Sequence, residues 1–255
     1  MTETNIYWAN GESKKMINAY MKAQETFKYF WRELSWEYRR IVPALDLACV
    51  KIAFTQQIKE KETPKTEHMW INEINFDGYL IKGILINDPY ELTNIKNGDH
   101  VEIPSNQISD WLFATQGKTY GGFTIQAMRS EMNTDELNEH DNAWGLNFGD
   151  FNHILVAYDQ EEHPENLTEH PMSKNMKDSF IDFLKQYPNE LTQTDELGYT
   201  LLHKETIAGN LSSIEVLLQA GANPNEQTNK GMRALDFAKQ MDWKHIIPVL
   251  EQITK

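Results

Sequence analysis

Two stretches of this chain repeat with a spacing of 33 residues, Gly198 in the first matching Gly231 in the second. The first reads Asp195-Glu196-Leu197-Gly198-Tyr199-Thr200-Leu201-Leu202-His203, then Ala208-Gly209-Asn210, Val216-Leu217-Leu218 and Gly221-Ala222-Asn223-Pro224-Asn225. The second reads Asn229-Lys230-Gly231-Met232-Arg233-Ala234-Leu235-Asp236, with Ala238 following. A period of this length restricts the fold more tightly than composition does. Each repeat is one supersecondary unit that cannot bury its apolar face alone, so neighbours must stack and share a core.

The pattern resembles the ankyrin repeat, which implies a β-turn, two antiparallel helices and an exit loop per unit, and binding to another protein as the mode of action. Leu201, Leu202, Ile207, Ile214, Val216, Leu217, Leu218, Leu235, Phe237, Ile246, Val249 and Leu250 read as packing positions. Three departures stand out. Leu201 and Ala234 replace the proline usual in the repeat signature, so the inner helices are expected to start less sharply. Glu205 stands where the second unit has Ala238. Pro248 removes a backbone donor inside the last helix, predicting a kink or early break. Two units are too few for a stacked core, but Ile181 and Leu184 lie one period before Ile214 and Leu217. Residues 176–187 are therefore expected to add the outer helix of a preceding half repeat, with the short array docked on the first domain.

The chain has 255 residues, room for two domains with separate cores. No stretch approaches the roughly 20 consecutive apolar residues of a membrane span. Met1-Thr2-Glu3-Thr4-Asn5 lacks the basic start of a secretion signal. A single cysteine, Cys49, rules out an internal disulfide and sits in an apolar run, where it reads as a small buried hydrophobe. The chain is expected to be cytoplasmic.

The net charge of −14 is unevenly placed. Residues 171–255 carry eleven acids against nine bases, whereas residues 1–170 carry 27 against 15. Between Ser130 and Ser173 there are eleven carboxylates and no Lys or Arg. Such a field repels nucleic acid and anionic lipid and attracts basic partners. The plainer reading is a solvated acidic loop that keeps the protein soluble.

Along residues 13–41, apolar side chains recur at steps of three and four, which predicts a helix capped by Ser13, interrupted near Ser35 and ended by Pro43. Strands are predicted at Leu45–Thr55, Glu67–Phe76, Tyr79–Ile86, His100–Ile103, Ile108–Ala114 and Ile154–Tyr158, with a hairpin turn at Asp77-Gly78 and a helix at Phe123–Met132. The expected fold class is an α+β N-terminal domain, a long helix plus largely antiparallel sheet, followed by an all-α repeat domain. The expected boundaries are 1–160, an acidic linker at 161–174, and 175–255.

Within the first domain, Thr26-Phe27 through Trp31, Glu67-His68-Met69-Trp70, Gly83 through Asn87-Asp88-Pro89, Gln107-Ile108-Ser109-Asp110-Trp111, Tyr120-Gly121-Gly122-Phe123-Thr124, and His140-Asp141 with Trp144-Gly145-Leu146 occur in order. Over roughly residues 20–155 they resemble the YegJ-like domain of unknown function. The resemblance implies a fold and no settled activity. It also carries a likeness to immunity domains found beside bacterial polymorphic toxins.

Motifs for chemistry are scarce. Gly117-Lys118-Thr119 lacks the glycine five residues earlier that a phosphate loop needs, since Leu112 stands there. No His-Glu-x-x-His or paired-cysteine zinc motif occurs, and no cofactor or metal is expected. His68, His140 and Asp141 have the chemistry for a metal or an acid–base pair. The alternative is His68 bonded within the sheet and His140-Asp141 capping a turn. Trp70, Trp111 and Trp144 are either core residues with a bonded N–H or interface anchors. Asn87, Asp88 and Asp110 read as turn and cap residues.

Two functions are carried forward. The first is a non-enzymatic immunity protein that binds a basic secreted toxin, contacting it through Asp135, Glu136, Glu139, Asp141, Trp144, Asp150, Asp159, Glu161 and Glu162. The second is a small enzyme or ligand-binding domain with a pocket near His68, Trp111, Tyr120 and His140 and a repeat arm for targeting. A housekeeping adaptor is the plainest variant. Neither nucleic acid nor a membrane is an expected partner, and the oligomeric state is left open.

Overall fold

A computed structural model describes residues 13–58 and 63–253. The stretch Met1–Asn5, considered above for secretion, lies outside the described residues. The chain divides into two compact units. One comprises Met1–Phe27, Ala44–Asn75 and Ile81–Leu155; the other comprises Lys28–Pro43, Phe76–Leu80 and Val156–Lys255. The architecture is an antiparallel sheet with helices, followed by helices alone.

Helix α1, Lys14–Glu37, starts as expected, with the Ser13 hydroxyl accepting the Met16 N–H at 3.2 Å. Met16, Ala19, Ala23, Phe27, Phe30 and Leu34 form its buried face. Ser35 does not interrupt it, because its hydroxyl donates back to the Arg32 carbonyl at 2.8 Å within the same helix. The helix ends at Glu37, short of Pro43: Arg39 and Arg40 N–H groups bond the carbonyls of Trp36 and Glu37, tightening the last turn.

The sheet has the order β4-β3-β2-β1-β5-β6, from β1 Leu47–Gln56, β2 Lys65–Phe76, β3 Leu80–Leu85, β4 His100–Pro104, β5 Ile108–Thr115 and β6 Lys118–Gly121. Val50 pairs with Ile71 on β2 and with Trp111 on β5. Ladder register shifts between Lys51 and Ile52 at a bulge that leaves Ser109 unpaired. Every residue of β5 is buried. The short β6 was not expected. Gln116 (φ +51°) and Gly117 (φ +74°) turn the chain between β5 and β6, the two left-handed positions a tight hairpin needs. Gly117-Lys118-Thr119 thus belongs to a hairpin.

Two helices follow: α2, Phe123–Arg129, shorter than the expected 123–132, and α3, Thr134–Trp144. The latter falls in the acidic tract and begins with a capping box between Asn133 and Glu136. The strand expected at Ile154–Tyr158 does not form. Leu155 makes one backbone bond, accepting from the Gly121 N–H, and the Gln160 side chain takes the N–H groups of Val156 and Ala157. With its amides taken by a side chain, the segment has no ladder to join.

In the second unit, helices α4 Pro171–Asn175, α5 Lys177–Gln186, α6 Leu201–Ala208, α7 Leu211–Gln219, α8 Ala234–Gln240 and α9 Ile247–Ile253 succeed one another. Leu184, Leu202, Ile207, Ile214, Leu217, Leu235, Phe237, Ile246 and Leu250 are buried among them. Gly198 and Gly231 take the same left-handed backbone, φ +82° and +76°. Part of the expected linker at 161–174 is buried: Asn166, Glu169, His170 and Ser173 are shielded, while residues 161–165 are exposed, and α4 precedes α5 where α6 precedes α7. Pro248 does not break the last helix, because it is the second residue of α9, where no N–H is required. Replacing proline by Leu201 does not leave α6 without a defined start either. The Thr200 hydroxyl and His203 Nδ1 cap it reciprocally.

Candidate functional site

Glu205 stands where Ala238 occurs one period later, and its side chain is committed to partners. Its buried carboxylate takes the Arg39 guanidinium at 2.7 Å and the Asn210 amide at 2.8 Å. Asn210 Oδ1 in turn accepts the Trp36 indole N–H at 2.9 Å. One turn earlier on α1, Glu33 accepts from His170 at 2.9 Å and pairs with Arg40 at 3.3 Å. Burial alone would push the Glu33 carboxyl up, yet the His170 bond and the charges of Arg40 and Arg32 hold it below its ordinary range. His170 Nδ1 accepts the Met172 N–H at 3.0 Å, so Nε2 carries the proton given to Glu33, and the same ring caps α4. The Arg32 guanidinium donates to the carbonyls of Asn166 and Thr168, and burial lowers its pKa to about 10. This polar seam fastens the end of α1 to the helices of its own unit.

Nine residues were named above as candidate partner contacts, and they fall in both units. Asp135, Glu136, Glu139, Asp141, Trp144 and Asp150 lie in the first; Asp159, Glu161 and Glu162 lie in the second. Asp135, Glu139 and Asp150 are exposed. Glu136 is exposed but its carboxylate closes the α3 capping box. Asp141 is already neutralised: Arg129 grips it at 2.6 and 3.0 Å and His140 bonds it at 2.9 Å. Trp144 is 39% exposed, its ring edge against Phe148 at 5.8 Å. Among the described residues, Asp159, Glu162 and His163 place their ligand-type atoms within 4.8 Å of one another, a set with the chemistry for a cation.

Of the four candidate pocket residues, His68 lines the described cleft and Trp111, Tyr120 and His140 do not. Trp111 and Tyr120 are core side chains, each stacked on Phe113, and the Trp111 indole donates to the Ala23 carbonyl at 3.0 Å. His140 is buried beside Phe148 and bonded to Asp141. His68 faces a cleft of about 340 Å³ formed with Tyr20, Gln24, Asn106 and Gln107, which the sequence reading had not joined. Their separation along the chain hid that grouping. Burial and the Lys51 charge lower the His68 pKa, keeping the imidazole neutral at pH 7.

Asp110 is a cap, as read from sequence, but for a distant helix. Its carboxylate accepts the N–H groups of Phe123 and Thr124 and the Thr124 hydroxyl, holding the start of α2. Burial raises its pKa against the pull of Lys51 and these bonds. Asn87 ties the segment after β3 to β2, accepting the Trp70 N–H at 2.6 Å. Cys49 is buried with Leu112, Ile125 and Phe148, and burial pushes its thiol pKa up.

Residues 13–148 match the bacterial family described as "Uncharacterized protein conserved in bacteria (DUF2314)". The chain belongs to this family. A relative from Neisseria meningitidis serogroup B, named "putative ankyrin repeat protein", is 49% identical over 251 residues, 98% of both chains. The Escherichia coli K12 protein named "Uncharacterized protein YegJ" is 32% identical over 75 residues, 29% of this chain and 49% of its own length. The DUF2314 match ends within the first unit, so the helical unit from Val156 onward is an addition to the matched region. No described helix of this DUF2314 protein is long and apolar enough to cross a membrane.

Proposed function

We propose that this chain is a non-enzymatic protein-binding protein whose helical unit is a short ankyrin stack, and that it acts as an immunity protein neutralising a basic toxin. The observation that carries the protein-binding reading is the recurrence of helix pairs α4–α5, α6–α7 and α8–α9, with left-handed Gly198 and Gly231 one period apart. A relative bearing an ankyrin name along nearly its whole length supports it. Stacked repeats present extended surfaces suited to polypeptide partners.

The basic character of the partner is supported by the exposed carboxylates Asp135, Glu139 and Asp150, and half-exposed Trp144 offers an aromatic contact. Long-range attraction raises the association rate, while a central aromatic contact slows release. A stable complex would bury on the order of 800 Å² on each side. Co-expression with the toxin encoded beside the gene tests the immunity reading. Growth restored by the intact chain supports it; continued killing despite soluble expression of both proteins refutes it.

A further inference from the structure

We propose that the cleft beside His68 binds a small uncharged molecule rich in hydroxyl groups, of monosaccharide size. This does not rest on the protein-binding reading. The cleft, about 340 Å³, lies within the range typical of small-ligand sites. It is built within one unit. The Gln24 amide donates to the carbonyls of Asn106 at 3.1 Å and Ile108 at 2.8 Å, tying α1 to the turn before β5. At the bulge, the Ser109 hydroxyl donates to the Lys51 carbonyl at 3.1 Å. Tyr20 and His68 stack almost parallel, with ring centroids 5.0 Å apart.

Besides Gln24 and Ser109, five polar side chains line the walls of the cleft uncommitted. The Tyr20 and Thr55 hydroxyls, the His68 imidazole and the Asn106 and Gln107 amides make no side-chain hydrogen bond to another described residue. Together they offer donors and acceptors in one small space, which hydroxyl groups satisfy because each both gives and receives. No carboxylate, ammonium or guanidinium is among the lining groups, and His68 is neutral at pH 7. An ionic ligand would lose hydration without gaining a counter-charge.

Titration of the full chain with glucose, galactose and mannose to tens of millimolar, observing the His68 ring signals by NMR, tests this. The expected result is a saturable shift with at least one sugar and none with inorganic phosphate or cyclohexanol. Thr55→Val, at an exposed position, should weaken that binding roughly threefold to tenfold, the loss of one hydrogen bond, without changing the melting temperature. The proposal is overturned if no sugar moves the His68 signals, if phosphate or cyclohexanol moves them equally, or if Thr55→Val binds as tightly. None of these outcomes bears on toxin protection.

Discussion

The Trp36 indole N–H donates to Asn210 Oδ1 at 2.9 Å, and the same Asn210 gives its amide to Glu205. The position that Ala238 matches one period later is here a buried acceptor serving the end of α1. Replacing Glu205 by Ala gives the residue found one period later but strips Arg39 and Asn210 of their partner. Arg39 is 38% exposed and can turn to water, which limits the cost. We expect Glu205→Ala to destabilise the chain by about 2 kcal/mol in urea unfolding, chiefly through the orphaned Asn210 amide. A stabilised variant would contradict the role assigned to the seam.

Tyr199 presents the opposite case. Its hydroxyl is buried without a hydrogen-bond partner among the described residues, beside Phe237 and His203. Tyr199→Phe removes an unsatisfied group and keeps the ring. Stability should stay level or rise by up to about 1 kcal/mol. A loss larger than that, read from the melting temperature, would mean the hydroxyl is bonded.

His203 links stability to pH. Its Nδ1 accepts the Thr200 N–H at 3.0 Å and its Nε2 meets the Glu226 carbonyl at 3.1 Å, an arrangement for the neutral ring. Burial lowers its pKa, more than the surrounding hydrogen bonds and acids raise it. The unfolded chain therefore takes up the proton first as pH falls. This contribution is complete above the ordinary imidazole pKa of roughly 6.5 and is lost on acidification through the depressed folded value. Urea midpoints measured between pH 7.5 and about 5 should decline, and less steeply in His203→Gln. Equal slopes in both proteins would remove His203 as the source.

Gly121 tests the core. Its φ is +77°, and a Cβ there would overlap the Trp111 ring and carbonyl. Gly121→Ala combines backbone strain with overpacking and should cost about 3 kcal/mol or more. A soluble variant with unchanged unfolding would place Trp111 elsewhere.

Much of this was legible in the residues. Five strands and the long helix announced themselves through alternation, steps of three and four, and Ser13. The Asn133–Glu136 spacing that opens α3 was equally present, but the carboxylates around it read as a solvated tract. Residues 161–174 misled for the same reason. Polar residues there are buried because Arg32 and Glu33, far away in sequence, meet them. Pairings across more than eighty residues, such as Glu33 with His170 or Gln24 with Ile108, leave no local pattern. The Tyr20–His68 cleft is invisible to sequence on that ground.

Association kinetics of the intact chain with the toxin encoded beside its gene, against the triple variant Asp135→Asn, Glu139→Gln, Asp150→Asn, test the central claim most directly. These side chains are exposed, so folding should be preserved and a matching melting temperature will verify it. The account predicts an association rate at least about tenfold lower for the variant, with a weaker dependence on salt. Equal rates and equal salt dependence for the two proteins would contradict it.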